Sequence, residues 1–312
     1  MAVHPYSRQF VPADIEAALG GRYIIGSEIA TGGQGAVFKA TRTFRPDGTA
    51  TNDVVALKLY FDRRRNIRVQ PEITAAENFS HPTLARLVEH GNCQVAGRHT
   101  RYGAWEFIDG QPLSVLLKNG RLLESEVLAI GRDVSSAIAG IWSQGIVHGD
   151  IKPSNIMLRN SEGYFMVGSV DNAVLIDLGA ARYLDQGYIR SLRPLDTNER
   201  RSRRPMGTLG YFSPEQIRGA TLSYASDVFS LGVVMLQCLL GRHPTNCNQT
   251  ELAEGIRASG SGVAARADLL SALDRMLSPL PESRPNPAKL SQGFQSLRQT
   301  MQAEFARGAR HP

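Results

Sequence analysis

From Arg22 onward, short apolar runs predict strands. Tyr23-Ile24-Ile25 and Glu28-Ile29 come first, then a glycine-rich turn, then Ala36-Val37-Phe38-Lys39-Ala40, and together they read as a hairpin. A polar loop over residues 43–52 leads to a third apolar run, Asp53-Val54-Val55-Ala56-Leu57-Lys58-Leu59-Tyr60-Phe61, and a helical run follows over residues 71–79. The second half of the chain changes period. Leu122, Leu123, Val127, Leu128, Ile130, Val134, Ile138 and Ile141 fall near helical spacing and form one core-facing stripe. The longest apolar stretch, residues 228–240, carries Ser230 and Gln237 and follows Asp227. It reads as a buried core helix, well short of the roughly 20 apolar residues that span a bilayer. Residues 1–21 read as a short leader in which residues 14–19 allow a helical turn or two.

A chain of 312 residues, 42% hydrophobic and 21% charged, can bury a sizeable core and is long enough for two lobes or two domains. The first 20 residues lack the charged-then-apolar order of a signal peptide. Cys93, Cys238 and Cys247 form no C-x-x-C and no pairing framework, so neither a zinc site nor a disulfide scaffold is suggested. A reducing, cytoplasmic setting is the expectation. Lys+Arg 35 against Asp+Glu 29 gives a formal charge of +6, concentrated in clusters such as Arg63-Arg64-Arg65 and the arginines of residues 200–204. Such clusters attract acidic protein or anionic lipid, or are simply solvated loops. Nucleic acid is not an expected partner.

Three stretches carry candidate chemistry. In His148-Gly149-Asp150-Ile151-Lys152-Pro153-Ser154-Asn155 an acid, an amine and an amide stand two and three residues apart, flanked by apolar runs. Asp150 suits a proton acceptor for an attacking hydroxyl, Lys152 a counter-charge for a moving phosphoryl group, and Asn155 a metal ligand. The plain alternative is a turn with a capped Asp. Lys58 lies inside an apolar strand, which is costly unless an anion meets it or the strand is an edge from which the lysine reaches water; Glu72 is the natural carboxylate partner. The turn Ala30-Thr31-Gly32-Gly33-Gln34-Gly35 lets main-chain N–H groups close over an anion. It contains no G-x-x-x-x-G-K-[ST] and opens no helix, which excludes an ordinary P-loop and a dinucleotide fold.

The hairpin, then Val55-Ala56-Leu57-Lys58, a helix Glu nine residues before His81-Pro82, the loop at 148–155, Asp177-Leu178-Gly179 and Ser213-Pro214-Glu215 together resemble the eukaryotic-type protein kinases in order and spacing. The likeness runs from about residue 22 to 297, and Gly32-Gly33-Gln34-Gly35 and Gly207-Thr208-Leu209-Gly210-Tyr211 look most like the bacterial Ser/Thr branch. It implies a two-lobed α+β fold: a β-rich N-lobe over residues 22–108, a helical C-lobe over 109–300, and a tail over 301–312. It also implies transfer of the ATP γ-phosphoryl group to Ser or Thr of a protein substrate. Gly32, Gly33 and Gly35 would cover the ATP phosphates, Lys58 would contact them while paired with Glu72, and Asn155 and Asp177 would hold Mg2+. Val37 and Ala56 would lie above the adenine and Met157 below it. The connector Trp105-Glu106-Phe107-Ile108 would be the hinge, with Glu106 and Ile108 offering main-chain hydrogen bonds to adenine. Asp227 would tie back to the catalytic loop's backbone, and Arg284 would pair with Glu215.

Several positions depart from that pattern. Ala30 replaces the first glycine of the loop, Gly149 the arginine before the catalytic Asp, and Leu178 the usual phenylalanine. Pro71 makes the helix begin at Glu72, leaving Glu77 as a second candidate partner for Lys58. Trp105 falls where an indole would close the pocket behind adenine, unless it is ordinary core packing. Residues 160–172 form a long insertion, expected as an enlarged hairpin. The segment containing Arg190, Arg193, Arg200, Arg201, Arg203 and Arg204 is expected to recruit an acidic partner. Without an arginine at 149, phosphorylation of Thr197 or Ser202 is not expected to act as the on-switch. The rival from another class is a pseudokinase scaffold that retains nucleotide; Ser213-Pro214-Glu215 with Arg284 argues against a small-molecule kinase. Substrate, signal and oligomeric state are not legible.

Overall fold

The computed structural model describes residues 10–32, 35–60, 69–77, 79–160, 173–183, 209–245, 247, 250–254 and 263–308. The chain divides into two compact units, residues 1–80 with 85–107 and residues 81–84 with 108–312.

The first unit is a five-stranded antiparallel sheet in the order β1-β2-β3-β5-β4, built from β1 (Tyr23–Thr31), β2 (Gly35–Phe44), β3 (Ala50–Tyr60), β4 (Leu87–Val95) and β5 (Arg98–Glu106). Side chains alternate across a strand, so the register decides the two faces. Val37 pairs with Lys58 and Lys39 with Ala56, which sets Val37, Ala56 and Lys58 on one face. Ala36, Phe38, Leu57 and Leu59 point the other way and pack with Ile15 and Leu19 of the N-terminal segment. Within the segment expected as a leader, Ile15 and Leu19 thus belong to this core. Its helix α1 (Pro12–Ala18) starts with proline in the first turn, where no N–H is needed. Ile15 and Leu19 are buried, each worth about 1.5–3 kcal/mol on the usual scale for an aliphatic side chain. Glu16 Oε1 accepts the Ile25 main-chain N–H at 2.7 Å, at the residue where the β1–β2 register slips.

Two expectations change here. β3 lies between β2 and β5, so Lys58 is not an edge residue that reaches water; it is 8% exposed. Helix α2 (Val69–Glu77) begins two residues before Pro71, not at Glu72. Pro71 still falls in the first turn, whose N–H groups have no helical partner in any case.

The second unit is mainly helical. A small sheet of order β6-β8-β9 joins β6 (Gly110–Pro112), β8 (Ile156–Arg159) and β9 (Ala173–Leu175), and β7 (Ile146–Val147) pairs with β10 (Arg182–Tyr183). The helices are α3 (Leu113–Leu116), α4 (Glu124–Ser143), α5 (Pro214–Ile217), α6 (Tyr224–Leu240), α7 (Val263–Met276) and α8 (Pro287–Gly308). In α4, Val127, Leu128, Ile130, Val134, Ile138 and Ile141 are buried as the spacing predicts. Leu123, counted in that stripe, is instead the exposed residue before the helix, and its N–H is taken by Glu126 Oε2 at 2.7 Å. A methyl group on Gly131 would meet Met235 and Phe294 at 2.7 and 3.0 Å, so this glycine lets α6 and α8 close on α4. α6 is buried on nearly every side, and its inward polar groups are bonded there: Ser226 Oγ donates to Glu215, Ser230 Oγ to Tyr211 O, and Asp227 accepts main-chain N–H groups; Gly241, at φ +71°, ends it. β8 and β9 pair antiparallel from Ile156↔Leu175 to Leu158↔Ala173. The insertion between them, and the arginine-rich segment with Thr197 and Ser202, lie outside the described residues.

Candidate active site

Within the second unit the loop after β7 gathers its polar groups around one carboxylate. Lys152 Nζ donates to Asp150 Oδ2 at 2.6 Å, and Asn155 Nδ2 donates to Asp150 O at 2.9 Å and to Oδ2 at 3.2 Å. A single turn of 3-10 helix, Pro153–Asn155, brings Asn155 back toward Asp150; proline suits its first position. The Ile176 main-chain N–H donates to Asn155 O at 2.9 Å, and this bond sets the 176–177 backbone beside the loop. Asp177 is exposed, adopts φ +65°, and accepts the Gly179 N–H on Oδ1 at 3.2 Å. A non-glycine residue in this left-handed conformation costs about 1–3 kcal/mol and is retained where the surroundings hold it.

The loop is anchored from below. Asp227, on α6 and fully buried, accepts the main-chain N–H of His148 on Oδ2 and of Gly149 on Oδ1, both at 2.8 Å. Burial pushes the Asp227 carboxyl up, against the pull of His148 and these two N–H donors. The His148 ring is buried, with Nε2 3.2 Å from Ile176 O. Gln216 Nε2 donates to Gly149 O at 3.2 Å, while Gln216 Oε1 receives the Ser213 N–H in a capping box at the start of α5. Glu215 takes Arg284 in a two-pronged pair, at 2.6 and 2.9 Å, and Ser226 Oγ at 2.9 Å. Burial alone would raise the Glu215 carboxyl. The Arg284 bonds, with those of its serine neighbours, bring it below the ordinary value of 4.5 instead. Asp227 and Arg284 thus make the contacts expected of them. The Gln216 link was not foreseen, although Ser213-x-x-Gln216 is legible as a cap.

Within the first unit, Lys58 is buried on the same sheet face as Val37 and Ala56, with its Nζ 5.1 Å from the centre of the Tyr60 ring. The Glu72 side chain and Gly33 lie outside the described residues. Glu77, the second candidate partner of Lys58, has its carboxylate on His90. The two remaining glycines differ. A Cβ at Gly35 would come to 2.1 Å from Leu59 O, so β2 and β3 need glycine there for their own approach; a Cβ at Gly32 would meet nothing within 4 Å. Trp105 is buried, its Nε1 has no hydrogen-bond partner among the described residues, and the indole lies against Gly103, where a Cβ would come to 3.0 Å from that nitrogen. Glu106 N–H donates to Arg86 O at 2.8 Å. In the second unit, Ile108 is buried and Met157 is half-buried in β8, between Pro112 and Val174.

The donor set suits a hard cation carried in with phosphate. Asn155 turns its Nδ2 toward Asp150, which leaves its oxygen as an acceptor, and Asp177 supplies a carboxylate on the neighbouring backbone. Mg2+ commonly takes only one or two carboxylates and completes its shell with substrate oxygens and water. Among the described residues no group of three or more His, Cys, Asp or Glu forms a stand-alone metal cage.

The model of the protein kinase domain matches residues 23–303. Among curated proteins the chain is similar to the serine/threonine-protein kinase PknA of Mycobacterium tuberculosis, at 31% identity over 74% of this chain and 49% of that protein. It is also similar to the serine/threonine-protein kinase pkn3 of Myxococcus xanthus, at 30% identity over 72% of this chain and 38% of that protein. The chain spans less than half the length of these curated relatives.

Proposed function

The chain belongs to the protein kinase family and has its two-lobed α+β fold, and we propose that it is a serine/threonine protein kinase that moves the ATP γ-phosphoryl group to a protein hydroxyl with Mg2+. The observation that carries this reading is Asp150 held by both Lys152 and Asn155. Asp150 accepts the hydroxyl proton as the hydroxyl oxygen bonds to the γ-phosphorus and the bond to the β–γ bridging oxygen breaks. Lys152, already beside Asp150, offsets negative charge on the group in flight. Lys58, paired with Glu72, meets the α- and β-phosphates; the main chain at Gly32, Gly33 and Gly35 closes over them. Val37, Ala56 and Met157 contact the adenine, to which the main chain of Glu106 and Ile108 offers hydrogen bonds. Asn155 and Asp177 would hold Mg2+, which when bound neutralises charge on the β- and γ-phosphates.

Three finer readings go with it. The loop is of the His-Gly-Asp kind, with no arginine at 149 to be neutralised by an activating phosphate. The arginines between 190 and 204 recruit an acidic partner by attraction that salt screens over about 10 Å at 0.1 M. A cytoplasmic setting fits the cysteine usage; among the described residues no helix is long and apolar enough to cross a membrane. A second reading is a scaffold that holds nucleotide without transferring phosphate; Glu77, the second candidate partner of Lys58, has its carboxylate on His90.

The test is transfer from radiolabelled ATP to a generic basic protein and to the chain itself, in wild type and Asp150→Asn, alongside nucleotide binding. Transfer by wild type that falls by about 10²-fold or more in the variant supports the kinase reading. Equal signals in both, with nucleotide still bound, would leave the scaffold.

A further inference from the structure

Strand β5 leaves its sheet at Glu106. Its last pairings are Val55↔Glu106 with β3 and Leu87↔Trp105 with β4. Beyond them Asp53 and Val54 on one side and Arg86 on the other have no strand between them, and a cavity of about 540 Å³ lies there, entirely within the first unit. That volume falls in the range of about 300–1,000 Å³ usual for small-ligand sites. Its apolar surface comes from Val54, Val55, Val88 and Phe107; its cations are Arg42, Arg45 and Arg86.

The polar groups in this cavity are unevenly satisfied. Asp53 Oδ2 already receives Arg42 Nη2 at 2.7 Å and lies 3.8 Å from Arg45 Nη2. Glu106 Oε2 lies 3.4 Å from the Arg86 main-chain N–H. Each of these two carboxylates thus has one oxygen engaged, against three guanidinium groups on the cavity. Arg42 is 6% exposed, and its Nε–H is buried with no acceptor among the described residues; such a donor is costly unless something meets it. Arg45 is half exposed, and among the described residues the one ion pair of its guanidinium is the 3.8 Å contact to Asp53. Arg86 is exposed, and no ion pair holds its guanidinium among the described residues. Guanidinium forks match phosphate and carboxylate oxygens.

We propose that this cavity binds an organic anion: a phosphate or carboxylate headgroup on Arg45 and Arg86, carried by a compact apolar body that lies on Val54, Val88 and Phe107. Asp53 and Glu89 hold Arg42 as the back wall, through contacts of 2.7 and 3.6 Å. The site shares no residue with the phosphate contacts proposed above; of the proposed adenine contacts Glu106 also lines it, and the site stands whether or not the chain transfers phosphate.

Calorimetric titration of phenyl phosphate into the full chain, in the presence of a saturating non-hydrolysable ATP analogue, tests the proposal. Saturable millimolar or tighter binding is expected. Arg45→Ala and Arg86→Ala should each weaken it about tenfold, while unchanged melting temperatures show that the variants fold. Benzyl alcohol should not bind, and inorganic phosphate should bind more weakly than phenyl phosphate. Capped phosphotyrosine, run in parallel, distinguishes a side-chain-borne anion from a free one, since either headgroup fits and the tighter of the two identifies the source. No saturation, an affinity that neither substitution changes, or equal binding of inorganic and phenyl phosphate would overturn the proposal. So would binding seen only without the ATP analogue, which places the probe in the nucleotide site.

Discussion

Asp227 accepts the Gly149 main-chain N–H at 2.8 Å while Gly149 sits at φ +76°, so a buried carboxylate on α6 holds the 148–155 loop in a conformation that favours glycine. A Cβ at this position would lie 3.3 Å from Ala180 O. The absence of an arginine before Asp150 is thus tied to backbone geometry as well as to charge. Gly149→Ala should lose about 1–2 kcal/mol of stability through the left-handed penalty. Urea unfolding measures it, and an unchanged midpoint would show that the loop relaxes freely.

Two glycines of the β1–β2 turn should respond in opposite ways. Gly35→Ala drives a Cβ into Leu59 O and should cost about 1–3 kcal/mol of stability or more, as overpacking does. Gly32→Ala meets open space and should stay within about 0.5 kcal/mol of wild type. If Gly32 lies over phosphate, the same variant should raise KM for ATP severalfold. Thermal melting and steady-state kinetics on both variants separate the structural glycine from the functional one.

The Glu215–Arg284 pair makes a pH prediction. The folded carboxyl lies below its ordinary 4.5, so its contribution is present above about pH 4.5 and is lost as pH falls through the lowered folded value. Glu215→Gln should be less stable at neutral pH by about 3–5 kcal/mol, because Arg284 stays buried without its counter-charge. Its stability should then change less than that of wild type across the acid window. Unfolding midpoints of both proteins between pH 3 and 7 check the sign; parallel curves would refute it.

Helix α1 belongs to the first unit's core. Ile15→Ala should cost about 2–5 kcal/mol, the usual range for a fully buried isoleucine. Glu16→Ala should cost less, since it leaves only the Ile25 N–H without its 2.7 Å acceptor. Deleting residues 1–21 should therefore lower the melting temperature; an unchanged value would return this segment to the role of a leader.

Asp150→Asn and Asp177→Asn should fail differently. The first is expected to keep nucleotide affinity within about threefold while transfer falls by about 10² or more. The second should weaken Mg2+-dependent nucleotide binding itself, read by titration at varied Mg2+. If both variants lose affinity alike, Asp150 acts on binding and its assignment as the base is wrong.

What the sequence alone determined was local chemistry in order. Asp150, Lys152 and Asn155 lie within six residues, so a short turn can bring them together whatever the rest of the chain does. The α4 stripe was legible because helical period is a local property, and the β1–β2 hairpin because its strands adjoin. Only the tertiary structure decided what depends on distant partners. Lys58 is central because β5, more than 40 residues later, pairs beside β3. Ile15 and Leu19 are core because Leu57 and Leu59 offer them a sheet face. Gly149 is held by Asp227, 78 positions away. The cavity lies where β3 runs on past its last pairing with β5, Val55↔Glu106. None of these has a signal in the spacing of adjacent residues, since each follows from register and packing between segments that meet only once the chain has folded.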